Sequence, residues 1–190
     1  MSDDSADRPK IDDALLDSVL IGGREPVQIR IVEYDSAWPR RFEQERDRLR
    51  AALGERARRI AHIGSTSVPG LAAKPIVDIL VTLDDVETDS ALVPDLEAAG
   101  YVLRVREPGH RMFRTPERDV HVHVFPDDSP EVDAYLLLRG QLRRSPEDRA
   151  RYEKTKRALA QQQWTDMNYY ADAKSQIITA ILERARRDEE

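Results

Sequence analysis

Apolar positions Ile11, Leu15, Leu16, Val19 and Leu20 recur at helical spacing, and Gly22-Gly23 ends the run, so a short amphipathic helix is predicted. VQIRIV, Val27 to Val32, alternates apolar and polar residues with the period of a strand. In WPRRFEQERDRLRAALG, Trp38, Phe42, Leu49 and Leu53 share one helical face, with Pro39 near the start and Gly54 at the end. Arg59 to Ile63 reads as a strand. Pro75 to Leu83 is a nearly continuous apolar run, as in a strand buried on both sides, so Asp78 inside it stands out.

Asp89 to Ala99 predicts a helix closed by Gly100, and Tyr101–Arg106 with Met112–Thr115 a hairpin around EPGH. DVHVHVF, Asp119 to Phe125, alternates strictly: Val120, Val122 and Val124 face one side, His121 and His123 the other. From about residue 132 the pattern is helical, with helices at 132–143, 146–162 and about 170–187, the middle one opened by Ser145-Pro146. This order predicts an α+β fold, a small mixed β-sheet flanked by helices with a helical C-terminal part. Residues 1–10 read as disordered, so a flexible arm with a short helix is expected over 1–24 and one domain over 25–187.

Composition narrows the classes. The chain has 190 residues, 35% of them charged, and a net charge of −6, which gives no bulk electrostatic case for a nucleic-acid partner. It has no cysteine, which excludes disulfides, zinc–thiolate sites and thiol nucleophiles. MSDDSADRPK lacks the apolar core of a signal peptide, and no apolar run nears the roughly 20 residues that cross a bilayer. A cytoplasmic protein with no membrane partner is expected.

The stretch HIGSTSVPGLAAKPIVDILV carries the candidate chemistry. Gly64 after a strand lets the backbone approach a phosphate, and the Ser65, Thr66 and Ser67 hydroxyls and amides can bond its oxygens. A helical turn beginning near Ser67 would add a field favourable to an anion. Lys74 can reach a phosphate placed at Ser65, and Asp78 can hold a bridging divalent cation. The competing reading is an ordinary turn in which Asp78 caps loop amides. Tyr152 and Lys156, four apart on a helix, share a face and with Lys174 could line a cleft opposite the sheet. His62 reads as packing. Trp38, Phe42 and Trp164 read as core. Arg111 and Arg114 could supply anion contacts, while Arg40-Arg41 and Arg143-Arg144 read as solvated faces.

HIGSTSVPGLAAKPIVDILV, with VEYDSAWPRRF before it, HVHVF after it, and LRRSPEDRARYEKTKRALA and YADAKSQIITAILERA further on, resembles the GrpB family (UPF0157) over residues 20–187. That family is grouped with the nucleotidyltransferase superfamily, so the resemblance implies a nucleotidyltransferase-like fold. The superfamily pattern is Gly-Ser, about a dozen residues, acid–apolar–acid on the next strand, and a third acid on a later one. Gly64, Ser65 and Asp78 match it, Leu80 stands at the second acid, and the third falls at His121 and His123. The implied ligands are an NTP or a phosphorylated small molecule and a divalent metal. Magnesium or manganese is the superfamily's expectation, and the two imidazoles shift the set toward manganese, zinc or iron. Asp78, His121 and His123 are the candidate catalytic and metal-ligating residues. Nucleotidyl transfer, a non-catalytic binding or regulatory module that has lost the acid pair, and a metal enzyme of other chemistry all stay open. So does direct bonding of the histidines to Asp78 or to a ligand phosphate.

Overall fold

The computed structural model describes residues 11–188, and the tail predicted to be disordered at 1–10 lies outside them. Five strands form one mixed sheet: β1 (Arg59–Ile63), β2 (Val77–Leu83), β3 (Val102–Glu107), β4 (His110–Arg114) and β5 (Val120–Pro126). Their spatial order is β1-β2-β5-β4-β3. β2 runs parallel to β5, and the other neighbouring pairs are antiparallel. The β2–β5 pairing decides the site, because it sets Asp78 opposite His121 and Leu80 opposite His123.

The helices are α1 (Asp13–Val19), α2 (Trp38–Leu53), α3 (Leu92–Ala98), α4 (Pro130–Arg144), α5 (Pro146–Leu159), α6 (Met167–Asp172) and α7 (Ser175–Arg187). Period-two patterning separates the sheet's two faces. Val77, Ile79, Val81, Leu83, Phe113, Val120, Val122 and Val124 point to one face, where Trp38, Leu49 and Leu53 of α2 and Leu92 and Leu96 of α3 complete the main core. Leu80 and Phe125 point to the other, where they pack with Ile63 and with Val132, Tyr135 and Leu136 of α4. At the β3–β4 end of this second face lies α1, with Leu16 and Leu20 against Val105 and Met112. The α4, α5 and α7 helices close on Val68 and Leu71 of the β1–β2 connection through Leu142, Tyr152 and Ile181.

Two sequence expectations change. Val27–Val32 forms no strand: it makes only isolated bridges, Val27 with Trp164 and Val32 with Ala73, because no neighbouring strand lies alongside. The helix predicted at about 170–187 is two. Ala173 and Lys174 form a tight turn between α6 and α7, with the Lys174 amide donating to the Ala171 carbonyl. Among the described residues, no helix is long and apolar enough to cross a membrane.

Candidate metal and phosphate site

Strand β1 ends where Gly64 turns away at φ +67°, ψ −173°, a conformation open to glycine and strained for other residues. A second constraint acts there. A Cβ on Gly64 would stand 2.5 Å from Asp78 Oδ2, so the turn backbone lies directly against the carboxylate. The turn that follows, Ser65–Ser67, is a single 3-10 turn. The helical turn considered near Ser67 is this one turn, Ser65–Ser67, too short to add an appreciable helix-dipole field.

Of the turn hydroxyls, Thr66 and Ser67 look inward. Thr66 Oγ1 donates to the Ile76 carbonyl and contacts His62 Nε2 at 3.0 Å, while Ser67 Oγ donates to the Gly64 carbonyl at 2.6 Å. Both are spent on the turn itself. Ser65 meets Lys156 instead, with Nζ 2.9 Å from Ser65 Oγ and 2.6 Å from the Ala72 carbonyl. Lys156 is only 2% exposed, and its burial, reinforced by nearby Lys174, pushes its pKa down to about 7. Lys74 is likewise pushed down to about 8 by burial, with Lys174 adding to the effect and Asp78 opposing it. Lys74 lies against Met167 Sδ, and Lys174 lies 4.7 Å from the centre of the Tyr170 ring. Their direct contacts are a hydroxyl, a carbonyl, a thioether and aromatic faces, with the Asp78 and Glu153 carboxylates acting on Lys74 and Lys156 from further off. Only five of the chain's 30 basic residues are lysines, and three of the five gather here. Tyr152 does not line a cleft; it is buried among Val68, Leu71, Leu142 and Ile181, with Lys156 Nζ 5.0 Å from its ring centre.

Next to this cluster, β2 and β5 bring Asp78, His121 and His123 together. One donor atom from each lies within 4.8 Å of the others. His121 Nδ1 is 3.5 Å and His123 Nε2 3.8 Å from Asp78 Oδ1. Burial raises the Asp78 pKa, but hydrogen bonding and charge from the two histidines outweigh it and hold the carboxyl below its usual range. Burial lowers the His121 pKa against the pull of Asp78, which favours the neutral imidazole a metal requires. An anionic oxygen and two imidazole nitrogens converging from adjacent strands fit a manganese, zinc or iron ion better than magnesium, a hard cation that prefers an all-oxygen shell. Leu80, at the expected second acid, points to the same face but is fully buried against Phe125 and α4.

Chain comparison places this architecture among known proteins. The model of the family described as GrpB protein matches residues 28–184. The chain belongs to the GrpB family. A UPF0157 protein of Streptomyces coelicolor is 53% identical over 166 residues, 87% of this chain and 89% of that protein. A UPF0157 protein of Halalkalibacterium halodurans is 44% identical over 190 residues, 97% of each. The crystal structure of conserved protein GrpB from Enterococcus faecalis matches with a TM-score of 0.73 at 34% identity, covering 84% of this chain and 99% of that one.

Within this GrpB-family fold, other named residues take structural places. His62 stacks on Phe42, with ring centres 4.9 Å apart. Arg111 pairs with Glu87 and Arg114 with Glu25, so neither is aimed at the site. Trp38 is core, whereas Trp164 is half-buried against Tyr170. Arg143 is exposed but donates to the Ser67 carbonyl at 2.6 Å, and Arg139 to that of His62 at 2.8 Å, so α4 holds the turn in place.

One histidine escaped the sequence reading. EPGH looks like a loop, but the turn is only Pro108-Gly109, and His110 opens β4. Its Nε2 lies 3.3 Å from His123 Nδ1 and its Nδ1 2.8 Å from Glu107 Oε2. The available signal was its spacing: two residues before Met112, His110 shares a strand face with it, and Met112 pairs with His123.

Proposed function

We propose that this protein binds a nucleotide or another phosphorylated small molecule, with its phosphates against Ser65, Lys74, Lys156 and Lys174. Asp78, His121 and His123 hold a divalent cation beside them. The observation that carries this reading is contiguity: the Gly64 backbone touches the Asp78 carboxylate while the next residue, Ser65, touches Lys156. A cation locus and an anion locus one residue apart match a metal–phosphate ligand.

If the site is catalytic, the chemistry is nucleotidyl transfer. An acceptor hydroxyl or amine attacks the α-phosphorus of an NTP in line, a new bond to phosphorus forms, and the bond to pyrophosphate breaks. Ser65 and the lysines position the departing phosphates and offset their charge. Neutral His121 is placed either to complete the donor set or to take the acceptor's proton. A bound cation supplies charge neutralisation at the phosphate oxygens. A second reading, a binding or regulatory module, is favoured by Leu80, whose full burial leaves one carboxylate where nucleotidyl transfer ordinarily uses several.

A thermal-shift screen crossing ATP, GTP, CTP and UTP with magnesium, manganese and zinc tests the binding. Saturation at 100-fold over Kd raises stability by about 2.7 kcal/mol. Cation-dependent shifts that vanish in Asp78→Asn support the site, and no shift with any pair rejects it. Pyrophosphate release then separates enzyme from module: saturable binding without release identifies the module.

A further inference from the structure

Of the three turn hydroxyls, Ser65 alone keeps its proton for a group outside the turn. Thr66 gives its hydrogen to the Ile76 carbonyl and Ser67 gives its own to that of Gly64, and both side chains are buried. Ser65 is only half-buried, and its Oγ lies 2.9 Å from Lys156 Nζ. The Ala72 carbonyl, 2.6 Å from the same nitrogen, can only accept, so it fixes one N–H. A neutral amine held there has its lone pair left for the Ser65 hydroxyl. Burial favours that neutral form: Lys156 loses its proton from about 7, with Lys174 at the α6–α7 turn and Arg157 on α5 also opposing its charge and Glu153 on α5 favouring it.

A nucleophile and a base within hydrogen-bond reach, the base oriented by a third group, is the arrangement of an activated serine. Bonds from the Ser67 and Val68 amides to the Gly64 and Ser65 carbonyls close the turn. The Ser65 and Thr66 amides take no part in closing it, which leaves two donors beside Oγ for a developing oxyanion.

We propose that Ser65 and Lys156 form a nucleophile–base dyad that hydrolyses esters whose acyl part carries an anionic group, held by Lys74 and Lys174. Ser65 Oγ bonds to the ester carbonyl carbon while Lys156 Nζ takes the hydroxyl proton. The carbon–oxygen bond to the alcohol breaks, and the alcohol leaves with that proton. Water, deprotonated by the same amine, then attacks the acyl-serine, releasing the acid and returning a proton to Ser65. This activity goes beyond the phosphate reading and shares its residues, so a bound nucleotide blocks it.

The test uses a fluorophosphonate on the full chain, read by intact mass and peptide mapping. Oγ bonds to phosphorus and fluoride leaves. One adduct per chain is expected, on Ser65 and absent in Ser65→Ala, with a rate rising about tenfold between pH 6 and 8 as Lys156 loses its proton. Lys156→Arg keeps the charge and the donors but cannot accept a proton, and is expected to slow labelling about 100-fold. Mono-4-nitrophenyl glutarate is expected to be hydrolysed faster than 4-nitrophenyl acetate, and equal rates overturn the anionic preference. No adduct on Ser65 between pH 6 and 9, or wild-type labelling in Lys156→Arg, overturns the dyad. Should that variant fail to fold, a wild-type rate that climbs only above pH 9 overturns it as well. Nucleotide binding in the thermal-shift screen without a Ser65 adduct rejects the dyad and leaves the phosphate site standing.

Discussion

Gly64 carries two independent constraints, a left-handed φ and contact with Asp78. Gly64→Ala is therefore expected to destabilise by about 1–3 kcal/mol in urea unfolding. Because any relief must push the turn off Asp78, it should also weaken cation binding. Lys156 gives a pH prediction. Unfolded, its amine keeps a proton up to about 10.5, while folded it loses the proton from about 7, so between these values the unfolded state binds more protons. Stability then rises with pH across that window. Lys74, lowered to about 8, adds to the rise in its upper part. Lys156→Met should flatten the increase in urea midpoint between pH 7 and 9. If phosphate binds here, its charge favours the ammonium. Calorimetry at pH 8–9 in buffers of different ionisation enthalpy should then show uptake of about one proton per site, and Lys156→Met should lose most of it.

Among the elements, α5 is the most plainly encoded. Ser145 Oγ accepts from the Asp148 amide at 3.1 Å, and Pro146 occupies the first turn. Ser145→Ala should cost about 1 kcal/mol in unfolding free energy. β2 was legible from its continuous apolar run, since it is buried on both faces, and β5 from its period-two alternation. Val27–Val32 shows where that signal stops: alternation marks a half-buried extended chain, and Ile29 is indeed buried, but a ladder needs a partner. The division of the last helix was also hidden. Ala173 and Lys174 are good helix formers, and packing of α7 onto α4 and α5 re-aims the chain and turns Lys174 onto Tyr170.

Taken whole, the molecule packs helices on both faces of one sheet, and residues 11–23 of the N-terminal arm belong to that assembly. Leu16 and Leu20 pack beside Val105 and Met112, and buried Arg104 donates to the carbonyls of Ile21 and Gly23. Arg104→Met is expected to release this clamp, read as faster amide hydrogen exchange over residues 13–23 with the β2 and β5 amides still protected. Unchanged exchange in the arm would show that apolar packing alone holds it.

The sequence by itself determined the fold class, most elements, the glycine turn and the candidacy of Asp78, His121 and His123. Each of those depends on local periodicity, turn chemistry or a charge inside an apolar run. Tertiary structure alone decided that β2 and β5 are parallel neighbours in the register that sets Asp78 opposite His121. It also decided that Lys156, 91 positions from Ser65, reaches that hydroxyl, and that His110 backs His123. Pairings between distant segments arise when the whole chain buries its apolar faces together, so no local pattern records them. HIGSTSVPGLAAKPIVDILV marked a candidate site, and the fold set Lys156 against Ser65 and His110 against His123.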